Sequence, residues 1–335
     1  MISEQRRSEN RKWINRNITR PSSQSDSLNK LTVRVPGSTA NLGPGFDTLG
    51  LALGIYCTLD FELLETNDLS RPLITLKGSL VDGLPKDQNN LIYTVLNNLW
   101  RNDPELLQRV RVTIESEIPL GKGCGSSAAA IMGAVWAAYA LTDSMPDNGT
   151  LLNDAAGLEG HADNVSASLL GGLVVSSNTS DNRSVVTQKM SWPKEWCPIV
   201  VVPHYVLSTK KSRAILPQTI KREDAVHNVQ KVALLLSAVA NKDEDALKEA
   251  FHDRLHEPYR LELVPELGSL RKLLANFPIL GCVLSGAGSS VLVVVNQRHR
   301  RQVLECLNSW AAGQAPGTQI LDVPVDQEGL RVSYE

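Results

Sequence analysis

Residues 119–127 read PLGKGCGSS and are followed directly by a run of alanines. Gly121, Gly123 and Gly125 alternate with other residues. A backbone without Cβ atoms can bring its N–H groups close around an anion. The two serines stand where a helix is predicted to begin, and a helix N-terminus offers free N–H groups and the positive end of the helix dipole. The segment therefore predicts a phosphate-binding loop. A glycine-rich turn with an ordinary serine cap is the structural alternative.

This loop matches neither of the two common nucleotide-binding patterns. A P-loop places serine or threonine directly after its lysine, whereas Gly123 follows Lys122 in this chain. The dinucleotide fingerprint G-x-G-x-x-G fails as well, because the glycines alternate without the required gap. We therefore expect a different class of phosphate loop, and the pattern leaves the role of the Lys122 side chain open.

Polar residues that could bind a small charged molecule occur elsewhere in the chain. Asn41 and Asp47 belong to the glycine-bracketed turn of VPGSTANLGPGFDTLGLAL, which can direct an amide and a carboxylate into one pocket. Glu159 and Asp163 in EGHADNVSASLLGG are four residues apart, a spacing that places both acids on one face of a helix. Turn capping and solvated acidic side chains are the alternatives for these four residues.

Two arginines add positive charge to this set. Arg213 follows Thr209 by four residues, one turn of a predicted helix. Arg260 ends the segment DRLHEPYR. A guanidinium group binds a carboxylate through two parallel hydrogen bonds, so the pair could clamp a carboxylate. Both could instead be surface cations, and His161 could be a satisfied interior histidine.

The apolar pattern predicts an α+β protein of two domains that meet near residues 192–198. Residues 31–35 alternate as a strand that is predicted to end before PGST, and the second strand is predicted at 55–64. Residues 110–115 predict a half-solvated strand of an antiparallel or mixed sheet. Helices are predicted in the alanine-rich segment after the loop and near residues 89–100, 149–159, 209–215, 223–240, 243–254, 264–275 and 298–311.

The composition excludes several classes of function. The formal net charge of −2 gives no electrostatic signature for binding to nucleic acid or to an anionic membrane. We find no run of 18 apolar residues, so no membrane-spanning helix is expected. The five cysteines form no C-x-x-C pair, which is typical of a reducing compartment and predicts a cytoplasmic protein without a zinc site. The polar residues 1–30 predict a disordered tail, with a transit peptide as the alternative.

The loop resembles the ATP-binding signature of the GHMP kinases, the group of galactokinase, homoserine kinase, mevalonate kinase and phosphomevalonate kinase. Cys124 departs from the leucine usual in that family. The segments VPGSTANLGPGFDTLGLAL, EGHADNVSASLLGG and DRLHEPYR resemble homoserine kinase segments. VLSGAGSSV (283–291) resembles the C-terminal glycine motif of the family, and the motifs follow in the same order over about residues 31–330. The resemblance implies a two-domain α+β fold. It implies a mixed α/β N-terminal domain with left-handed βαβ character over 31–195 and a ferredoxin-like α+β C-terminal domain over 196–335.

The resemblance also implies a reaction, the transfer of the γ-phosphoryl group of ATP to the side-chain hydroxyl of L-homoserine on the route to threonine. The ATP-binding residues that it implies are Asn90, Pro119, Leu120, Gly121, Lys122, Gly123, Cys124, Gly125, Ser126 and Ser127. Magnesium would be held by Ser127 and Glu159, since a hard cation suits a hydroxyl and a carboxylate.

The implied substrate-binding residues are Asn41, Asp47, His161, Asp163, Thr209, Arg213 and Arg260. Asp163 and Asn164 are the catalytic candidates, and neither is assigned as a general base. Two alternatives stay open: a GHMP kinase for another small alcohol, such as mevalonate or a diphosphocytidyl polyol, and a non-catalytic paralogue that binds ATP or a sugar. The oligomeric state also stays open, with a homodimer as one expectation.

Overall fold

The computed structural model of the protein describes residues 29–68, 70–101 and 103–334. Eleven strands lie in these residues: β1 (Lys30–Ala40), β2 (Leu49–Leu63), β3 (Ile74–Lys77), β4 (Val110–Ser116), β5 (Leu173–Asn178), β6 (Val185–Met190), β7 (Trp196–Val202), β8 (Ile279–Leu284), β9 (Val291–Asn296), β10 (Gln319–Asp322) and β11 (Arg331–Tyr334). The predicted disordered tail lies outside the described residues except for its last two positions, and Lys30 already belongs to β1.

Eleven α-helices lie in the same described ranges: α1 (Leu91–Leu99), α2 (Pro104–Arg109), α3 (Ser126–Leu141), α4 (Asn148–Glu159), α5 (Asp163–Leu170), α6 (Thr209–Ala214), α7 (Arg222–Asn241), α8 (Glu244–Ala250), α9 (Glu257–Arg260), α10 (Pro265–Leu273) and α11 (Arg300–Gln314). Short 3-10 helices cover Ser79–Val81 and Gln297–His299. No helix in the described part of the chain is long and apolar enough to cross a bilayer.

The first sheet has the strand order β11-β1-β2-β4-β3, and β5 and β6 extend it from the other end of β2. All of its pairs are antiparallel except β3 with β4. β2 is long enough to pair with β4 through residues 57–63 and with β5 through residues 49–51. The two halves of β2 therefore have different neighbours, and α5 packs on this strand.

The first two strands are longer than the sequence pattern predicts. β1 continues through PGST to Ala40, and β2 begins at Leu49 instead of residue 55. The prediction was wrong because the turn-forming residues here serve close packing. The register shifts between Pro36 and Gly37, a bulge that accommodates the proline. A Cβ on Gly37 would lie 3.0 Å from the carbonyl oxygen of Cys124, so glycine lets the strand approach the phosphate loop.

Helix α3 is the centre of the first unit. It packs against β1, β2, α1, α4 and α5. Its alanines allow these neighbours to approach on almost every side, and a Cβ on Gly133 would lie 2.6 Å from Leu59 of β2. Because α3 is held on all sides, its N-terminus is a fixed platform for the loop that precedes it.

The second sheet has the order β10-β7-β9-β8 and is antiparallel throughout. Ile199, Val201, Val293 and Val295 are fully buried in its core. They pack in one cluster with buried leucine and valine side chains of α10 and α11. The predicted α+β class is confirmed by these two sheets and their helices.

The C-terminal segment corrects the predicted domain assignment. β11 pairs with β1, and Val325 forms an isolated bridge with Leu53. Val332 is buried in the core of the first unit. Residues 331–334 therefore lie in the first sheet, although the sequence analysis placed all of 196–335 in the second domain.

Candidate active site

The glycine-rich loop connects β4 to α3, and its glycines adopt a backbone that other residues avoid. Gly121, Gly123 and Gly125 have φ values of 65°, 80° and 72°. A Cβ on Gly123 would lie 2.2 Å from the carbonyl oxygen of Ser285, and one on Gly125 would lie 2.1 Å from Oγ of Ser38. Both positions therefore need glycine for conformation and for space.

The same loop leaves backbone N–H groups free at the N-terminus of α3. Within the described residues, the N–H groups of Gly123, Cys124 and Gly125 donate no hydrogen bond. Ser126 accepts a long hydrogen bond of 3.4 Å from the N–H of Gly121. Ser127 is exposed at the start of the helix. The loop thus presents the groups that an anion requires.

Lys122 and Cys124 direct their side chains away from this anion site. Nζ of Lys122 donates to the carbonyl of Pro203 at 2.7 Å, and its own carbonyl accepts from the N–H of Ser290. Cys124 is buried with Sγ 3.5 Å from Oγ of Ser290, and burial raises the pKa of the thiol to about 11. Only the backbone of these two residues remains available to a phosphate, and Lys122 instead fastens the loop to the second unit.

A hydroxyl and a carboxylate meet beside the loop. Oγ of Ser127 donates to Oε2 of Glu159, the last residue of α4, at 2.7 Å. Burial raises the pKa of Glu159. The described residues contain no cluster of three or more histidine, cysteine or acidic side chains that could hold a metal alone. The pair fits a cation that takes its other ligands from phosphate oxygens and water, as magnesium does.

Asp163 and Asn164 open α5 next to the loop. Asp163 is only 2% exposed, its Oδ1 accepts from the N–H of Asn164 at 2.7 Å, and burial raises its pKa to about 7. Oδ1 of Asn164 accepts from Oγ of Ser38 at 2.9 Å, and the N–H of Ser38 donates to the carbonyl of Cys124 at 3.0 Å. The catalytic candidates are therefore tied to the phosphate loop through Ser38, which the sequence analysis read as a turn residue.

The turn between β1 and β2 is strained and tightly held. Asn41, Leu42 and Asp47 have positive φ values of 71°, 46° and 56°. Such conformations cost about 1–3 kcal/mol each in non-glycine residues. Nδ2 of Asn41 donates to the carbonyl of Gly286 at 2.9 Å, and its Oδ1 accepts from the N–H of Asp47 at 3.0 Å. Asn41 thus supports the turn that presents the Asp47 carboxylate.

Arg213 on α6 meets that carboxylate directly. Its Nη1 and Nη2 donate to the two oxygens of Asp47 at 3.1 and 2.5 Å. Its Nε is buried and has no hydrogen-bond partner in the described chain. The two residues are 166 positions apart, so the fold brings together a carboxylate from the first unit and a guanidinium from the second.

Arg260 lies next to this pair and is buried. Its Nε donates to the carbonyl of Ser212 at 3.1 Å, and its Nη1 donates to Nδ1 of His256 at 3.1 Å. The side chain is 1% exposed, and burial together with the positive charge of Arg213 lowers its pKa to about 10. Two guanidinium groups and one carboxylate thus converge between the two units.

Phe46 and His256 hold this cluster together, and neither was predicted from the sequence. Their rings stack with centroids 5.1 Å apart. Cζ of Arg213 and Cζ of Arg260 each lie 5.4 Å from the centroid of the Phe46 ring. Nε2 of His256 donates to the carbonyl of Gly43 at 2.8 Å. Both residues stand next to predicted or charged residues, Phe46 before Asp47 and His256 before Glu257. An aromatic residue is ordinarily interpreted as part of the hydrophobic core, so neither sequence indicated a role in the site.

The remaining predicted residues differ in how the structure uses them. His161 is half-buried beside Asp47 at a cavity of about 520 Å³, and burial with the charge of Arg213 lowers its pKa. Thr209 is exposed at the start of α6, one turn before Arg213. Pro119 is buried and Leu120 partly buried in the approach to the loop.

Asn90 is engaged in local structure. Its Oδ1 caps α1 by accepting from the N–H of Ile92 at 3.0 Å, and its Nδ2 donates to the carbonyl of Pro85 at 2.8 Å. It is 3% exposed. This geometry gives no support to the predicted nucleotide contact.

Comparison with known proteins identifies the family of the chain. The family models described as GHMP kinases N terminal domain and GHMP kinases C terminal match residues 90–172 and 235–313. A homoserine kinase of Solibacter usitatus is 44% identical over 301 residues, which cover 90% of this chain and 96% of that one. The chain belongs to the homoserine kinases of the GHMP kinase family. A homoserine kinase of Desulfitobacterium hafniense is 35% identical over 300 residues, which cover 90% and 99% of the two chains.

The fold agrees with that of a solved homoserine kinase. The structure from Cytophaga hutchinsonii superimposes with a TM-score of 0.79 at 24% identity and covers 94% of this chain and 100% of that one. The family and the fold class predicted from the sequence are therefore confirmed. The roles of individual side chains in this chain stay predictions that rest on the geometry.

Proposed function

We propose that this protein transfers the γ-phosphoryl group of ATP to the side-chain hydroxyl of L-homoserine and forms O-phospho-L-homoserine. Family membership supports the reaction class. The observation that carries the substrate assignment is the bidentate Asp47–Arg213 pair beside buried Arg260. An α-amino acid carries one ammonium and one carboxylate, and this cluster offers both complementary charges.

The substrate carboxylate would bind between Arg213 and Arg260. Nε of Arg213 has no partner within the described residues, so one donor is available for it. When the carboxylate takes the guanidinium, Asp47 is released to accept the ammonium. Asn41, His161 and Thr209 would complete this pocket. The bound substrate would thus replace the Asp47–Arg213 ion pair with one ion pair to each of its own charged groups, and the charges of the pocket would stay neutralised.

The ATP phosphates would bind at the glycine-rich loop. The free N–H groups of Gly123, Cys124 and Gly125 and the N-terminus of α3 supply the positive potential. Ser127 and Glu159 would hold magnesium, which neutralises charge on the phosphates when it is bound. Positioning and charge neutralisation supply most of the catalysis in phosphoryl transfer.

Asp163 and Asn164 would lie between the two pockets. Asn164 is tied to the phosphate loop through Ser38, and Asp163 is the only one of these groups whose pKa burial brings to about 7. A carboxyl that is half ionised near neutral pH can orient the attacking hydroxyl and accept its proton. Direct proton passage to the phosphoryl oxygen is the alternative, in which Asp163 only orients the substrate.

A panel of acceptors with ATP tests the proposal. We expect turnover with L-homoserine to exceed that with mevalonate and with a diphosphocytidyl polyol by at least about 100-fold, because neither of the latter carries both an ammonium and an α-carboxylate. Comparable turnover with mevalonate would contradict the substrate assignment. ATP binding without transfer to any acceptor would instead favour the non-catalytic alternative.

We also propose that the protein acts in the cytoplasm. All five cysteines are free, and four of them are buried. Cell fractionation followed by a kinase assay on each fraction tests this location.

A further inference from the structure

His256 is a buried histidine whose two ring nitrogens have different partners. The residue is 0% exposed and directly precedes α9. Its Nε2 lies 2.8 Å from the carbonyl oxygen of Gly43, and its Nδ1 lies 3.1 Å from Nη1 of Arg260. A carbonyl oxygen only accepts hydrogen bonds, and a guanidinium group only donates them. His256 must therefore carry its hydrogen on Nε2 and present an unprotonated Nδ1 as an acceptor.

A nearby carboxylate leaves this assignment unchanged. Oδ2 of Asp253 lies 3.7 Å from Nε2 of His256, which is beyond hydrogen-bond distance. The oxygens of Asp253 accept hydrogen bonds from Nδ2 of Asn228 and from the backbone N–H groups of Leu255, His256 and Glu257. These neutral donors satisfy the carboxylate, so the ring N–H of His256 keeps the Gly43 carbonyl as its acceptor.

Neighbouring groups hold the ring in this orientation. The Phe46 ring stacks on it with centroids 5.1 Å apart and an angle of 24° between the planes. Gly43 has a φ of 73°, and a Cβ at this position would lie 2.5 Å from the carbonyl oxygen of Phe251. The β1–β2 turn therefore packs directly on the segment that leads to His256, and a rotation of the ring would break its hydrogen bond to the turn.

Arg260 uses one edge of its guanidinium group for contacts within the protein. Its Nε donates to the carbonyl of Ser212 at 3.1 Å. Its Nη1 donates to Nδ1 of His256 at 3.1 Å and to the carbonyl of Gly286 at 3.3 Å. These contacts account for every hydrogen on Nε and Nη1. Nη2 donates no hydrogen bond within the described part of the chain, so its N–H groups remain for an outside acceptor.

We infer that His256 is a positioning residue for the substrate carboxylate. Its Nδ1 holds Nη1 of Arg260, so that Nη2 is the nitrogen that binds the carboxylate of L-homoserine. This inference rests on the proposed function, because it takes L-homoserine as the acceptor. His256 does not touch the substrate and acts only through Arg260. The same ring fastens the β1–β2 turn, which presents Asp47, so one side chain aligns the groups for both charges of the amino acid.

Two substitutions separate the two ring contacts. The amide of glutamine reaches about as far as Nε2 and keeps a donor for the Gly43 carbonyl. The amide of asparagine lies near the position of Nδ1 and keeps an oxygen acceptor for Arg260. The substitutions His256→Gln and His256→Asn therefore each remove one contact and keep the other.

Titration calorimetry with L-homoserine compares the two variants without turnover. We expect the dissociation constant to rise about tenfold in His256→Gln, because Arg260 loses its acceptor. In His256→Asn it should stay within about threefold of the wild-type value. The reverse order would mean that the ring only fastens the turn, and it would overturn the inference. Wild-type affinity in His256→Gln would overturn this inference alone, whereas a wild type that binds no L-homoserine would overturn the proposed function as well.

Steady-state kinetics supply a readout that a general loss of structure would not reproduce. In His256→Gln the KM for L-homoserine should rise about tenfold, while kcat and the KM for ATP change less than about twofold. His252→Gln is the matched control at an exposed position of the same segment and should change none of these constants. Thermal unfolding verifies that each variant is folded. A lower kcat at an unchanged KM for L-homoserine would contradict a role in positioning the carboxylate.

Discussion

The phosphate loop and the amino-acid pocket solve the problem of binding charge in different ways. The loop uses nine consecutive residues, and its binding groups are backbone N–H groups held by glycines with positive φ. The pocket uses side chains from the β1–β2 turn, α6 and α9, which the fold brings together across two units. A local sequence therefore determines the loop, whereas the tertiary structure determines the pocket. The loop should be sensitive to added volume, and the pocket to lost charge.

The largest effect should come from a methyl group in the loop. In Gly125→Ala the new Cβ would lie 2.1 Å from Oγ of Ser38 at a φ of 72°, so both the loop and the strand behind it must shift. We expect kcat/KM for ATP to fall by roughly 1,000-fold or more, since misplaced phosphate ligands lose most of their stabilisation of the transition state. Steady-state kinetics with varied ATP measures this loss.

Gly313→Ala is the matched control for that variant, because nothing lies within 4 Å of its added Cβ. It should leave kcat/KM unchanged. Wild-type kinetics in Gly125→Ala would mean that the loop does not depend on its glycine conformation, and the contrast with the pocket would be lost.

The loss of a charge in the pocket should rank second. Arg213→Ala removes a guanidinium that would bind the substrate carboxylate and leaves the carboxylate of Asp47 without its partner. We expect the KM for L-homoserine to rise roughly 100-fold while the KM for ATP changes less than about twofold. Arg301→Ala, at an exposed position with a simple i,i+4 ion pair, should change neither constant. An equal rise in both constants would refute a separate amino-acid pocket.

A change in the Ser127–Glu159 pair beside the loop should have an intermediate effect on activity, and the effect should depend on magnesium. Glu159→Gln removes the carboxylate that accepts the hydrogen bond from Ser127 and keeps its shape. We expect the magnesium concentration for half-maximal activity to rise by about tenfold or more, because a neutral amide is a weaker ligand for a hard cation. Titration of activity with magnesium at saturating L-homoserine measures it. An unchanged titration would remove Glu159 from the metal site.

A smaller effect should follow from the aromatic ring that both arginines face. Phe46→Leu keeps an apolar side chain but removes the ring that stacks on His256 and faces both guanidinium groups. A cation–π contact contributes about 0.5–2 kcal/mol, so we expect the KM for L-homoserine to rise about tenfold. Phe46→Tyr keeps the aromatic ring and should keep the wild-type KM for L-homoserine. If the side chain only fills volume, both variants should have similar kinetics.

The contrast between the regions also explains what the sequence could predict. The loop was predictable because glycine spacing and helix initiation are local properties. The residue types of the pocket were predictable, but the pairing of Asp47 with Arg213 depends on how two units pack. Ser38 and His256 were missed because their roles are hydrogen bonds to distant residues. The continuation of β1 through PGST was not predicted because Gly37 in it serves close packing against the loop. The position of β11 in the first sheet was not predicted because its pairing with β1 joins residues far apart in the sequence.

The smallest effect concerns stability at the point where the two regions meet. Asp163 is buried, and its pKa of about 7 in the folded protein lies above the usual value for the unfolded chain. The folded state therefore binds the proton more tightly, so the contribution of this group to stability is fully present below the unfolded pKa and is lost as the pH rises through 7. Asp163→Asn removes this loss and keeps an oxygen that can accept from the N–H of Asn164. We expect its melting temperature to exceed that of the wild type by a few degrees at pH 8 and to match it near pH 4, measured by calorimetry, while its kinase activity falls. A constant difference at both pH values would mean that Asp163 ionises with the pKa of an exposed aspartate, and its burial would then not control its protonation.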